Sequence, residues 1–198
     1  MKILIIGTPR SGTSSLLRGC NSLLKYNRYG EPWNLHIPDN DLLSVDFQLE
    51  DNTIVKTLVH SPMQLYPEKN IHEFYKEQCE QFDRVIVLGR KNRKELLESY
   101  AFQMERGLKD KWQEPYELAE TTHLNTDKYL NEINSYCDLL LVVSKNLGMN
   151  IVWYEDLYSG NIEVVKPIID SWKLPLQADK LLPHLHPSKR FRRVSSIL

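Results

Sequence analysis

The residues best placed to do chemistry stand in one short run, Gly7-Thr8-Pro9-Arg10-Ser11-Gly12-Thr13-Ser14-Ser15. Two glycines five positions apart let a backbone turn tightly, so that successive amides and the positive end of a following helix converge on an anion. Hydroxyls from Ser11, Thr13, Ser14 and Ser15 and the guanidinium of Arg10 add donors, and nucleotide phosphate is the expected guest. The spacing meets the first half of the nucleoside-triphosphatase loop G-x-x-x-x-G-K-S/T. Thr13 stands where that motif needs lysine, which weakens an ATP or GTP reading at its most diagnostic position.

The elements that must hold this loop can be read on either side of it. Lys2-Ile3-Leu4-Ile5-Ile6 is a β-branched apolar run and predicts a strand, while Leu16, Leu17, Leu23 and Leu24 give the following segment a helical period. Further strands are expected at Thr53 to His60 and Arg84 to Leu88, and Asn150 to Leu157 reads as the last strand together with its exit. Helices are expected over Ile71 to Gln81, from a cap at Asn92 with Glu95 completing a capping box, over Asn125 to Leu147, and over Val164 to Trp172. Leu130, Ile133, Cys137, Leu140, Leu141 and Leu147 form the expected apolar stripe of the long third helix. Asn27 to Asn40 and Gly107 to Thr122 read as loops, the second with a broken helix as the other choice.

This alternation predicts one α/β domain over residues 1–198, a three-layer P-loop-like fold with a mostly parallel central sheet flanked by helices and its ligand at the strands' carboxyl ends. With 198 residues, 41% hydrophobic and 26% charged, the chain is long enough to bury a core without disulfides. A formal charge of −1 gives no global attraction to nucleic acid or to an anionic membrane, so any basic site must be local. The three cysteines, Cys20, Cys79 and Cys137, are widely spaced with no C-x-x-C, which argues for reduced thiols, a cytoplasmic setting and no structural metal. No apolar run reaches the length of a membrane span.

The loop Pro9-Arg10-Ser11-Gly12-Thr13-Ser14 resembles the 5′-phosphosulfate loop of the sulfotransferase family, P-K/R-S-G-T-T/S, in which the cation precedes the second glycine. Three later segments are similar to that family in the same order. Lys56-Thr57 and His60-Ser61-Pro62 resemble K-T-H-x-P, with Leu58 in the histidine position and His60 two residues on. Strand alternation would keep Lys56, Leu58 and His60 on one face. Arg90 or Lys91 with Ser99 resembles the 3′-phosphate motif R-x-P-x-D/E-x-x-x-S, without its proline. Tyr154-Glu155-Asp156-Leu157 resembles the family's Y-E-D-L scaffold segment.

The resemblance implies transfer of a sulfuryl group from 3′-phosphoadenosine 5′-phosphosulfate (PAPS) to an acceptor hydroxyl or amine, with no metal. It implies catalytic roles for Arg10 and Lys56 and a general base that is Glu31, following Gly30 as in several branches of the family, or His60. Cofactor contacts would come from Arg10, Ser11, Gly12, Thr13, Ser14, Ser15, Arg90 or Lys91, Ser99, and a basic tail at Lys189 and Arg190. The rival readings are a nucleoside or small-molecule kinase, which should keep the loop lysine, and a non-catalytic nucleotide-binding or interaction domain.

Overall fold

The computed structural model describes residues 1–33, 49–106, 116–119, 124–185 and 191–194. A five-stranded sheet runs through it in the order β2-β3-β1-β4-β6. The strands are β1 (Lys2–Gly7), β2 (Asn27–Gly30), β3 (Thr53–Leu58), β4 (Arg84–Gly89) and β6 (Ile151–Trp153), and every neighbouring pair is parallel. A second, two-stranded parallel ladder joins β5 (Tyr116–Ala119) to β7 (Phe191–Val194).

Parallel strands buried on both faces require apolar residues at successive positions, and β1 supplies them. Ile3 and Ile5 go to one face, where Leu16, Leu17 and Cys20 of α1 (Thr13–Leu24), Val165 and Ile169 of α7 (Ile162–Ser171) and Leu181 of α8 (Ala178–Leu181) cover them. Leu4 and Ile6 go to the other, against Phe74 and Tyr75 of α3 (Ile71–Cys79) and Leu140 and Val143 of α5 (Asp127–Asn146). At the carboxyl end of the sheet α4 (Arg93–Arg106) packs on α5 through Leu96, Tyr100, Ala101, Tyr129 and Ile133. The remaining short helices are α2 (Ser61–Leu65) and α6 (Tyr154–Leu157), and a single 3-10 turn covers Leu182–His184.

The α/β class and the flanking helices are those expected, and the five-stranded sheet is wholly parallel. Several local expectations change. Asn27–Gly30 is a strand, held by its ladder to β3 although its residues are mostly exposed. Within Gly107 to Thr122, residues 116–119 pair as a strand, and the rest lies outside the described residues. The last strand stops at Trp153, and Tyr154–Leu157 turns into a helix. In α5 the buried stripe is Tyr129, Ile133, Cys137, Leu140 and Val143, whereas Leu130 and Leu141 are exposed.

Strand order decides where a ligand can enter. Chain leaving β1 crosses to β2 on one side, and chain leaving β4 crosses toward β6 on the other. The two departures open a crevice at the carboxyl ends of β1 and β4, the topological switch point at which α/β sheets bind ligands.

Candidate active site

At that switch point Gly7 ends β1 and Gly12 begins α1. A Cβ on Gly7 would come within 2.8 Å of the Leu88 carbonyl oxygen, so only glycine lets the loop leave this close to β4. Gly12 adopts φ 90°, and a Cβ there would meet the Tyr158 and Tyr154 rings at 2.8 and 2.9 Å. Between them Arg10 also sits at positive φ, 63°, a conformation costing of order 1 kcal/mol for a residue with a side chain. The turn is closed by Ser11, whose amide and hydroxyl donate to the Thr8 carbonyl at 3.3 and 2.7 Å. No side chain caps α1 and no acidic residue lies in its first turn, so the amides at its start are left for an anion.

Two segments far apart in sequence meet over this loop. Arg10 Nε donates to Ser99 Oγ at 2.9 Å, and an Arg90 Nη1 donates to the Arg10 carbonyl at 3.5 Å. Arg90 lies over the Tyr154 ring, 4.6 Å from its centroid; its Nη2 pairs with Glu95 at 2.7 Å, and its Nε lies 3.9 Å from a Glu155 carboxylate oxygen. Tyr154 stacks in turn on Tyr158, whose hydroxyl donates to the Gly12 carbonyl at 2.7 Å. Arg90 and Ser99 therefore belong to the loop's surroundings. Lys91 does not, because its ammonium is taken by Asp156 at 2.8 Å.

Glu155 makes that arrangement possible. Its carboxylate accepts the backbone amides of Lys91 and Asn92 at 3.0 and 2.9 Å, which holds the β4–α4 turn beside α6. Asn92 caps α4 through its side chain, as expected, receiving the Glu95 amide at 3.1 Å. The expected reciprocal bond from Glu95 is absent among the described residues; Glu95 pairs with Arg90, and Glu155 takes over the Asn92 amide.

On the other flank of β1 stands an ion pair between Lys56 and Glu31. Register places Gly30 opposite Lys56, so Glu31, one residue past the end of β2, arrives at the Lys56 side chain. Its amide donates to the Lys56 carbonyl at 2.6 Å and its φ is 61°, followed by the buried Pro32 and Trp33. Burial, reinforced by the positive charges of Arg10 and Arg18, pushes the Lys56 ammonium down to about 7. The Glu31 carboxylate is its ion-pair partner.

His60 is separated from this pair. The strand ends at Leu58, and His60 has φ −93° and ψ −15°, the turn that opens α2 ahead of Pro62. Alternation along β3 therefore does not carry the imidazole onto the Lys56 face. It stacks on Tyr136 of α5 with ring centroids 3.8 Å apart, and burial lowers its pKa to about 4, with Glu132 opposing and Lys56 adding to the shift. Glu132 accepts the hydroxyls of Tyr100 and Tyr136 at 2.9 and 2.6 Å.

The structure thus brings Arg10, Ser11, Gly12, Thr13, Ser14, Ser15, Arg90 and Ser99 to one end of the sheet, with Lys56 and Glu31 alongside. It sets Lys91 and His60 apart, and Lys189 and Arg190 lie outside the described residues. Sequence reasoning missed Glu155 and Tyr158. The available signal was position: the segment after the final parallel strand lies at the carboxyl edge with the loop, and Tyr154 and Tyr158 are one helical turn apart.

No family model matches the chain, and no curated protein matches it. A similar solved structure is that of the YorR protein of Bacillus subtilis in complex with phosphorylated GDP, with a TM-score of 0.50 and 17% identity. The match covers 88% of this chain and 96% of that one. At that identity the likeness is one of fold.

Proposed function

We propose that this protein transfers a sulfuryl group from PAPS to an acceptor hydroxyl or amine. The observation carrying the reading is the convergence of Arg10, Arg90 and Ser99 at the β1–β4 switch point, over a phosphate loop that has arginine before its second glycine and no lysine after it. Two phosphate groups of one nucleotide, the 5′ and the 3′, would be served by the loop and by Arg90 with Ser99.

Transfer of this kind needs alignment and charge neutralisation more than covalent help from the protein. The acceptor oxygen or nitrogen attacks sulfur, the bond from sulfur to the bridging phosphate oxygen breaks, and adenosine 3′,5′-bisphosphate leaves. Arg10 and the amides at the start of α1 take up negative charge on the departing phosphate. The acceptor proton passes to Glu31, and Lys56, poised near neutral pH, donates toward the bridging oxygen. His60 is neutral at physiological pH and stacked on Tyr136, which makes it the second choice as base.

Calorimetry with adenosine 3′,5′-bisphosphate against ATP and magnesium tests the nucleotide. The bisphosphate should bind more tightly, and preference for ATP would overturn the reading in favour of a kinase. Transfer of labelled sulfate to an acceptor panel should fall at least about a hundredfold in Glu31→Gln with bisphosphate affinity kept. Full activity there and loss in His60→Phe would move the base to His60. Bisphosphate binding with no transfer to any acceptor would favour a non-catalytic domain.

A further inference from the structure

Whether the β1–α1 loop can hold an anion depends on where the first amides of α1 point. In an α-helix these donors have no carbonyl behind them to bond, and here no side chain caps them. Their direction is set by the peptide planes that carry them. The plane joining Gly12 to Thr13 is gripped from outside the loop, by a residue 146 positions away.

That residue is Tyr158. Its hydroxyl donates to the Gly12 carbonyl at 2.7 Å, the same oxygen that accepts the Ser15 and Leu16 amides at 3.0 Å each. Three donors on one carbonyl oxygen draw electron density out of the peptide group, which leaves the Thr13 N–H a stronger donor. The ring edge packs on Gly12, where a Cβ would meet Tyr158 at 2.8 Å, so the contact also fixes the height of the plane.

The phenol is held in advance of any ligand. It is 8% exposed, and its ring stacks on Tyr154 with centroids 4.5 Å apart and planes 23° apart. The Tyr158 amide donates to the Tyr154 carbonyl at 2.8 Å, and α6 is itself tied to the β4–α4 turn through Glu155 and Asp156. Burial pushes the hydroxyl's pKa up, with Ser15 opposing, so the donor keeps its proton at neutral pH.

We propose that Tyr158 is the positioning residue of the β1–α1 loop: its hydroxyl turns the Thr13 amide toward the bound anion and strengthens it as a donor. Tyr158 acts through that peptide and touches no ligand itself. The role rests on the reading of the loop as a phosphate site, and not on which group the protein transfers.

The test separates hydrogen bonding from space filling. Tyr158→Phe keeps the ring and loses the donor, whereas 3-fluorotyrosine introduced at position 158 keeps the donor and makes it more acidic. Affinity for adenosine 3′,5′-bisphosphate, measured by calorimetry, should fall about fivefold to tenfold in Tyr158→Phe and rise about twofold with the fluorinated ring. The Thr13 amide proton, read by NMR without nucleotide, should move upfield in the first and downfield in the second. Ser22→Ala removes a hydroxyl-to-carbonyl bond of 2.8 Å further along the same helix and should leave affinity unchanged. Loss of affinity with both altered rings, unchanged affinity in Tyr158→Phe, or an equal loss in Ser22→Ala overturns the proposal. Should the parent prefer ATP with magnesium, the sulfuryl-transfer reading fails, and the same order measured with ATP upholds the role of Tyr158. A parent that binds neither nucleotide overturns both.

Discussion

Arg10 Nε lies 2.9 Å from Ser99 Oγ, a bond between the β1–α1 loop and a buried position inside α4. The serine fixes where the guanidinium points before any ligand arrives. Ser99→Ala should therefore weaken adenosine 3′,5′-bisphosphate about fivefold to tenfold, and Arg10→Ala about a hundredfold. In a double-mutant cycle Ser99→Ala should cost little once Arg10 is gone. Additive losses would mean that the serine acts independently of the arginine.

Glu155 closes the β4–α4 turn by accepting two backbone amides. Glu155→Gln keeps the shape but leaves one oxygen to serve amides that the carboxylate served with two. The variant should lose about 1–2 kcal/mol in urea unfolding, with bisphosphate affinity falling through the displaced Arg90. Unchanged stability would assign the turn's geometry to Asn92 alone.

At Gly12 the backbone and the space around it agree. Gly12→Ala would place a methyl at φ 90° and against Tyr154 and Tyr158, so a loss of about 2 kcal/mol or more is expected, with nucleotide binding abolished. Gly148, also at positive φ with nothing within 4 Å of a built Cβ, is the comparison: Gly148→Ala should lose only about 1 kcal/mol. Unfolding curves for the pair separate backbone strain from crowding.

His60 should make the protein acid-sensitive. Its folded pKa of about 4 lies below the unfolded value of 6.5, so the unfolded chain binds the extra proton first. The stability that neutral His60 contributes is complete above pH 6.5 and is lost as pH falls through about 4, up to about 3 kcal/mol. His60→Phe, which keeps a ring on Tyr136, should flatten stability over that window. A slope unchanged from the parent would assign the acid sensitivity to other groups.

The loop was legible because its signal is local: a β-branched run, two glycines at fixed spacing and a periodic segment lie in consecutive residues. The edge strand at Asn27–Gly30 was not, since its four residues are largely exposed and become a strand only by pairing with β3. For the same reason no contact between Glu31 and Lys56 is legible in the sequence, although register produces it directly. Alternation along β3 does not extend to His60, because the strand ends at Leu58 and His60 caps the helix that Pro62 opens. The spacing of Asn92 and Glu95 fits a capping box, but Glu95 pairs with Arg90 and Glu155 accepts the Asn92 amide.

The central position of β1 has a consequence for how the protein is made. Both of its neighbours come from later in the chain, β3 at Thr53–Leu58 and β4 at Arg84–Gly89, so β1 has neither ladder partner while α1 and β2 emerge. Its run of Ile3, Leu4, Ile5 and Ile6, buried on both faces in the finished sheet, is then an unpaired apolar edge. Folding must wait for ladders of high sequence separation, which are slow to close. The β1–α1 loop at its end is therefore held only once the whole β1–β3–β4 core has assembled.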